Sequence, residues 1–238
     1  MREPRKPLLK RNYSVDVVLT STIQGAFVLN SEQNSVGRDA LLRVIVGVTG
    51  ASGAVYPLRL LERLRLHSGI ETHLVLSRAG EKTLYLETGK RAADLKSSAH
   101  FSWPLEDISA PIASGSFQTH GMVISPCSVN TMSAIAQGIS SNLIVRAADV
   151  ALKERRRLIL MIRESPFHLG HLRTMTSLAE IGAIIAPPIP GFYNRPATIE
   201  DLVDSSIDRV LDLLGIEDGG ISRWMGPQKD DHSSGDEQ

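Results

Sequence analysis

Residues Leu42–Val48 (LRVIVGV) form an apolar, β-branched run that stops on Thr49-Gly50-Ala51-Ser52-Gly53, and Val55, Leu58, Leu61 and Leu64 follow at helical spacing. A buried strand that feeds a glycine-bearing turn and then an amphipathic helix is the first half of a strand–helix–strand crossover. Pro57 falls in the first turn of the helix, where a missing N–H breaks no helical bond. The rhythm then recurs. Further strands are predicted over residues 72–76, 121–125, 158–162 and 183–186, and helices over 79–87, 131–137, 143–156, 171–181 and 199–214. Residues 91–116 carry Pro and Ser without a clear period and read as irregular. Alternation of this kind closes through right-handed crossovers, so it predicts a parallel sheet with helices on both faces. The expected fold is a three-layer α/β/α, Rossmann-like (flavodoxin-like) sheet, one domain over 41–225 with an extension at 1–40 and a polar tail at 226–238.

Composition removes several function classes. The 238 residues hold 26 Lys+Arg and 26 Asp+Glu, so there is no basic excess to displace counterions from nucleic acid. Aromatic residues are 5%, too few for a base-stacking platform. No apolar run approaches the roughly 20 residues that cross a bilayer. Cys127 is the one cysteine, which excludes an intrachain disulfide, and it is expected to pack as a small apolar residue. His67, His73, His100, His120, His168, His171 and His232 show no ligand-like spacing with acidic partners, and no metal is expected. Residues 1–40 begin with Arg2, Arg5, Lys6, Lys10 and Arg11 among Ser and Thr, as organelle transit peptides do, although Glu3 and Asp16 fit a plain tail better.

In an open parallel sheet, ligands sit at the carboxyl ends of the strands. Residues 49–53, Ser77-Arg78, 126–131, 163–166 and 187–193 are therefore expected to share one crevice. Two of these segments are small, rich in hydroxyls and run into helices, whose first N–H groups favour a phosphate. Gly50, Ala51, Ser52 and Gly53 make up one; Ser128, Val129, Asn130 and Thr131 the other. Two such turns facing one crevice point to phosphate binding over ordinary helix caps. A dinucleotide fits poorly. Tyr56 stands where the fingerprint needs its third glycine, and the second strand ends on Ser77-Arg78 without the ribose-binding acid. A short-chain reductase is also excluded, since no tyrosine is followed four residues later by lysine. A mononucleotide such as FMN fits better.

Charged residues at the crevice suggest chemistry. Arg146 lies among apolar neighbours and needs an anion, either Asp149 or a ligand phosphate. Glu164 directly follows the apolar run 158–162 and Arg163; it is either a proton carrier or Arg163's ion-pair partner.

The segments VTGASGA (48–54), ETHLVLSRAG (71–80), LET (86–88), ASGSF (113–117), PCSVNT (126–131), NLIVRAADVALKERR (142–156), RESPF (163–167), PPIPGFYNRP (187–196), EDLVD (200–204) and RW (223–224) occur in one order. Together they resemble the UbiX/phenylacrylic-acid-decarboxylase family, the flavin prenyltransferases. The resemblance implies transfer of a dimethylallyl group from dimethylallyl phosphate to N5 and C6 of reduced FMN, with loss of phosphate. The prenylated FMN then serves a UbiD-type decarboxylase. It further implies that Gly50, Ala51, Ser52, Ser77, Ser128, Val129, Asn130, Thr131 and Arg163 bind FMN. By the same likeness Arg146, Lys153, Tyr193 and Arg209 hold the donor, and Ser52, Glu87, Glu164 and Trp224 are catalytic. Family members are dodecamers in which different subunits supply site residues, and the N-terminal extension resembles that of eukaryotic members, which are mitochondrial; this favours a transit peptide here.

The chain departs from the family at His168-Leu169-Gly170-His171-Leu172-Arg173-Thr174-Met175, which puts local lid and subunit contacts in question. PCSVNT also looks like the loop of flavin-dependent cysteine decarboxylases, but their Pro-x-Met-Asn motif is missing. A non-catalytic FMN-binding subunit would lack some of Glu87, Arg146, Lys153, Glu164, Tyr193 and Arg209, and all are present.

Overall fold

The computed structural model describes residues 41–217. The extension at 1–40, Trp224 and the tail at 226–238 lie outside the described residues. The strands are β1 Leu42–Val48, β2 Ile70–Leu76, β3 Phe101–Trp103, β4 Gly121–Cys127, β5 Arg157–Ile162 and β6 Ile184–Ile185. The helices are α1 Val55–Arg65, α2 Arg78–Thr88, α3 Ala92–Ser97, α4 Val129–Ala136, α5 Leu143–Lys153, α6 Leu169–Glu180 and α7 Ile199–Leu214. All strand pairs are parallel, in the order β3-β2-β1-β4-β5-β6. The order reverses between β1 and β4, so the crevice that opens there is the expected ligand position. The predicted three-layer sheet is observed.

One reading needs correction. Residues 91–116 are not wholly irregular: they contain α3 and the edge strand β3. At three residues with a Phe-Ser-Trp pattern, β3 is too short to show a period of two.

Each face of the sheet buries its own apolar layer. Leu58, Leu61 and Leu64 of α1 and Val203, Ile207, Val210 and Leu211 of α7 pack on Val44, Val46, Leu74 and Val123. Ile144, Ala147, Ala148 and Ala151 of α5 pack on Ile45, Met122, Ile124 and Leu160 of the other face. Ile207, Leu211 and Leu214 are 0% exposed, and each contributes about 1.5–3 kcal/mol by leaving water. Helix α7 starts at the capping box of Thr198 and Asp201 and stops at Gly215, whose φ of 72° is a left-handed end. Arg59 and Arg63 of α1 pair with Asp204 and Asp208 of α7, which fixes the register of the two helices.

Candidate active site

The loops after β1, β2, β4 and β5 are tied to one another at the reversal point. Thr49, 3% exposed, ends β1. Its hydroxyl donates to the Pro126 carbonyl at 2.7 Å and accepts the Ser128 N–H at 2.8 Å. The Ser77 N–H donates to the Val48 carbonyl at 2.9 Å, and the Arg163 N–H to the Cys127 carbonyl at 3.2 Å. Gly50 presses against the start of α2, where a Cβ would lie 2.4 Å from Ala79 Cβ. Gly53, at φ 109°, turns the chain into α1.

That turn holds an internal anion. Glu87, on the last turn of α2, accepts the Gly53 and Ala54 N–H groups through Oε2 at 2.9 and 2.8 Å. The Ser52 side chain hydrogen-bonds the same carboxylate. Arg163 Nε donates to the Ser52 carbonyl at 3.2 Å. Partial burial acts to raise the Glu87 pKa, yet the Ser52 hydroxyl, the two amides and the Arg163 charge hold it below the ordinary glutamate value. Ser52, Glu87 and Arg163 thus form one cluster, and Glu87 is ionised at neutral pH.

The second turn stays open. Ser128 caps α4: its Oγ accepts the Thr131 N–H at 3.3 Å and donates to Thr131 Oγ1 at 3.1 Å. The N–H groups of Val129 and Asn130 meet no acceptor among the described residues. Ser77 plays the same capping part for α2, accepting from Gly80 N–H at 3.0 Å. Ala51 is buried beside them, at 8% exposure. Cys127 is fully buried, which pushes its thiol up to about 12 and leaves it inert as a nucleophile. Glu164 is half-buried, and its Oε1 accepts the Ser165 N–H at 2.9 Å. Its carboxylate makes no ion pair with Arg163 among the described residues.

The four cationic and phenolic positions do not meet in one chain. Arg146 Nη1 binds Asp149 Oδ2 at 2.9 Å and its Nε donates to the Ala113 carbonyl at 3.2 Å. Lys153 pairs with Glu154 at the end of α5, just before the amino end of β5. Tyr193 and Arg209 instead line a cavity of about 180 Å3 with Pro187, Ile189 and Ser206, and Arg209 pairs with Asp212. Helix α5 covers one face of the sheet and α7 the other. Residue spacing carries no sign of this split, which only the family likeness implied, nor of Thr49 as the fastening between loops. Glu87 was reached only through the family likeness, because nothing in the spacing of residues 53 and 87 announces their contact.

A family model described as Flavoprotein matches residues 31–211. The flavin prenyltransferase UbiX of Escherichia coli (strain K12) is 51% identical over 186 residues, which cover 77% of this chain and 98% of that one. Among solved structures, AnUbiX in complex with FMN and dimethylallyl pyrophosphate superposes with a TM-score of 0.76 at 43% identity, covering 79% of this chain and 99% of that one. A dodecameric FMN-dependent UbiX-like decarboxylase from Escherichia coli O157:H7 also gives a TM-score of 0.76, at 44% identity over 78% of this chain and all of that one. With about half of the aligned residues identical along nearly the full length of these relatives, the chain belongs to the UbiX family of flavin prenyltransferases.

Proposed function

We infer that the protein is a flavin prenyltransferase, a transferase that joins a dimethylallyl group to FMN. The observation that carries this reading is the Ser52–Glu87–Arg163 cluster beside the open start of α4, in a chain about half identical to UbiX enzymes. The residues fit a flavin mononucleotide. Unpaired amides at Val129 and Asn130 and the hydroxyls of Ser128 and Thr131 suit one phosphate, while Glu87 already fills the amides of the other turn. Gly50, Ala51 and Ser77 line the approach to the same crevice. Reduced FMN supplies N5 and C6 as the atoms that gain the prenyl carbons.

The phosphate donor loses its C–O bond, and the bonding electrons leave with the phosphate. Arg146, Lys153 and Arg209 take up that charge, and the Tyr193 hydroxyl adds a hydrogen bond. The new N5–carbon bond replaces the N5–H and the broken C–O bond; the prenyl double bond then takes up a proton and its tertiary carbon bonds C6. Of the two protons released, from N5 and C6, one thus ends on the prenyl group and the other passes to Glu164 or to the departing phosphate. Glu87, held ionised, fixes the Ser52 hydroxyl and Arg163 and does not deliver a proton itself. Trp224 is assigned the aromatic wall over the allyl group, whose cationic character a π face stabilises.

Because α5 and α7 lie on opposite faces of the sheet, Arg146 and Lys153 of one copy are assigned to the donor site of another. This supports a homo-oligomer, and the dodecameric UbiX-like relative makes twelve copies the proposed number. The product is destined for a UbiD-type decarboxylase. No helix among the described residues is long and apolar enough to cross a membrane. Mitochondrial import rests on residues 1–40 alone, and the bacterial relatives lend it no support. The deciding experiment is anaerobic incubation with reduced FMN and dimethylallyl phosphate. Mass spectrometry should then find a flavin carrying one five-carbon unit; unmodified FMN from folded oligomer refutes the reading.

A further inference from the structure

A polar cluster under the segment 113–117 takes no part in the transfer as described. Arg43 of β1 stands opposite Glu71 of β2, and His73 of β2 opposite Phe101 of β3. His73 is 2% exposed. The Trp103 indole N–H donates to His73 Nδ1 at 3.1 Å, and His73 Nε2 lies 3.0 Å from Glu71 Oε1. The same oxygen accepts from Arg43 Nε at 2.8 Å. An indole N–H only donates, so Nδ1 accepts and the ring proton is on Nε2, directed at Glu71. The imidazole stacks on Phe101 and Trp103, with centroids 5.1 and 6.1 Å away, and meets the Phe117 ring edge-on at 5.3 Å. The Arg43 guanidinium lies over that Phe117 ring at 4.9 Å.

Phe117 ends a segment on which the donor-binding cations lean. Arg156 donates to the Phe117 carbonyl at 2.7 Å and to the Gly115 carbonyl at 2.6 Å. Arg146 Nε donates to the Ala113 carbonyl, and a Cβ on Gly115 would lie 2.7 Å from Lys153 Nζ. We propose that His73 is a positioning residue for the phosphate donor: held neutral between Trp103 and Glu71, it braces Phe117 and so sets the segment that places Arg146 and Lys153. This rests on the assignment of those two cations to the donor.

A second ring proton would set His73 Nδ1–H against the Trp103 N–H, two donors face to face. The ring must then tilt or the indole withdraw, and Phe117 loses its edge contact. The groups facing the ring are Glu71, Arg43, His100, Phe101, Trp103 and Phe117. Burial lowers the His73 pKa from 6.5, Glu71 pulls it back, and Arg43 and His100 push it down again. A histidine with a depressed folded pKa contributes in full above its unfolded pKa of 6.5, and the contribution is lost as pH falls below that toward the folded value.

The test compares wild type with His73→Gln, which can still accept from Trp103 and donate to Glu71 but does not titrate. Donor KM and FMN affinity are measured between about pH 7.5 and about pH 5. The donor's own phosphate titrates equally for both proteins, so the difference between profiles is the readout. Wild-type KM should rise about fivefold more than that of the variant, the equivalent of one hydrogen bond of about 1 kcal/mol, with FMN affinity equal in both. Trp103→Phe keeps the stack and removes the opposing donor, so its KM should also rise less than that of wild type. A Trp103→Phe profile as steep as wild type refutes the proposal, whatever becomes of the glutamine variant. Identical profiles for wild type and His73→Gln overturn this inference alone. A wild type that transfers no prenyl group overturns the functional reading and this inference together.

Discussion

Gly50→Ala tests whether the turn after β1 is positioned by its contact with α2. The added Cβ would lie 2.4 Å from Ala79 Cβ and 3.2–3.3 Å from the Ala79 backbone. Ordinary carbon contacts sit near ~3.5–4 Å, so the turn must retreat by roughly 1 Å. Overpacking of this kind costs about 1–3 kcal/mol. For a domain of this size each kcal/mol lowers Tm by about 2–4 °C, readable by scanning calorimetry on the assembled protein. The larger effect is expected in turnover. Ser52 lies two residues beyond Gly50, and a misplacement of about 1 Å in a reacting geometry costs about 100-fold. The clash has one main author, the Ala79 methyl group, so Ala79→Gly should rescue the variant. Alone, Ala79→Gly costs about 0.5–1 kcal/mol of helix propensity. Combined with Gly50→Ala it should recover most of the lost Tm and turnover, with a coupling energy of about 1–3 kcal/mol. Additive losses in the double variant would refute the contact as the cause, and so would a Gly50→Ala protein with wild-type turnover.

Glu87→Gln removes the charge that holds the Gly53 and Ala54 amides and should lower stability at neutral pH by about 1 kcal/mol. A depressed carboxylate pKa stabilises above the unfolded value of 4.5 and the gain is lost as pH falls through the folded pKa, so wild type and variant should converge in acid denaturant titrations. An undiminished gap in acid contradicts the assignment. Glu164→Gln should keep FMN affinity and slow turnover by about 100-fold, the scale of one acid–base group; unchanged turnover in stopped-flow assays assigns the proton to the phosphate alone. Arg209→Ala should raise donor KM about tenfold or more while leaving FMN affinity alone, as one charge-assisted hydrogen bond is worth about 1.5–3 kcal/mol; equal losses for both ligands, measured by calorimetry, disprove its role.

The strands that sit in the middle of the sheet were legible because burial on both faces forces unbroken apolar runs, as in 44–48 and 158–162. Helix α7 was legible to the residue because the Thr198 side chain caps its start and Gly215, free to take a left-handed φ, ends it. Strand β3 was hidden, since an edge strand of three residues with a serine at its centre carries no pattern. The loops of the crevice followed from topology alone. What periodicity leaves undetermined is which face of the sheet a helix covers, and this is why Arg146, Lys153, Tyr193 and Arg209 read as one pocket when a single chain divides them. Glu87 was illegible for another reason. Its partners are main-chain amides, which every residue possesses, so no side-chain spacing advertises the bond.

The Thr49 hydroxyl bridges two loops that belong to separate crossovers. Since it gives its proton to the Pro126 carbonyl and takes one from the Ser128 N–H, both at the end of β4, the loop that carries Ser52 is fastened twice to the loop that carries Ser128. The flavin end of the crevice is thus a preformed socket whose jaws cannot part at that seam.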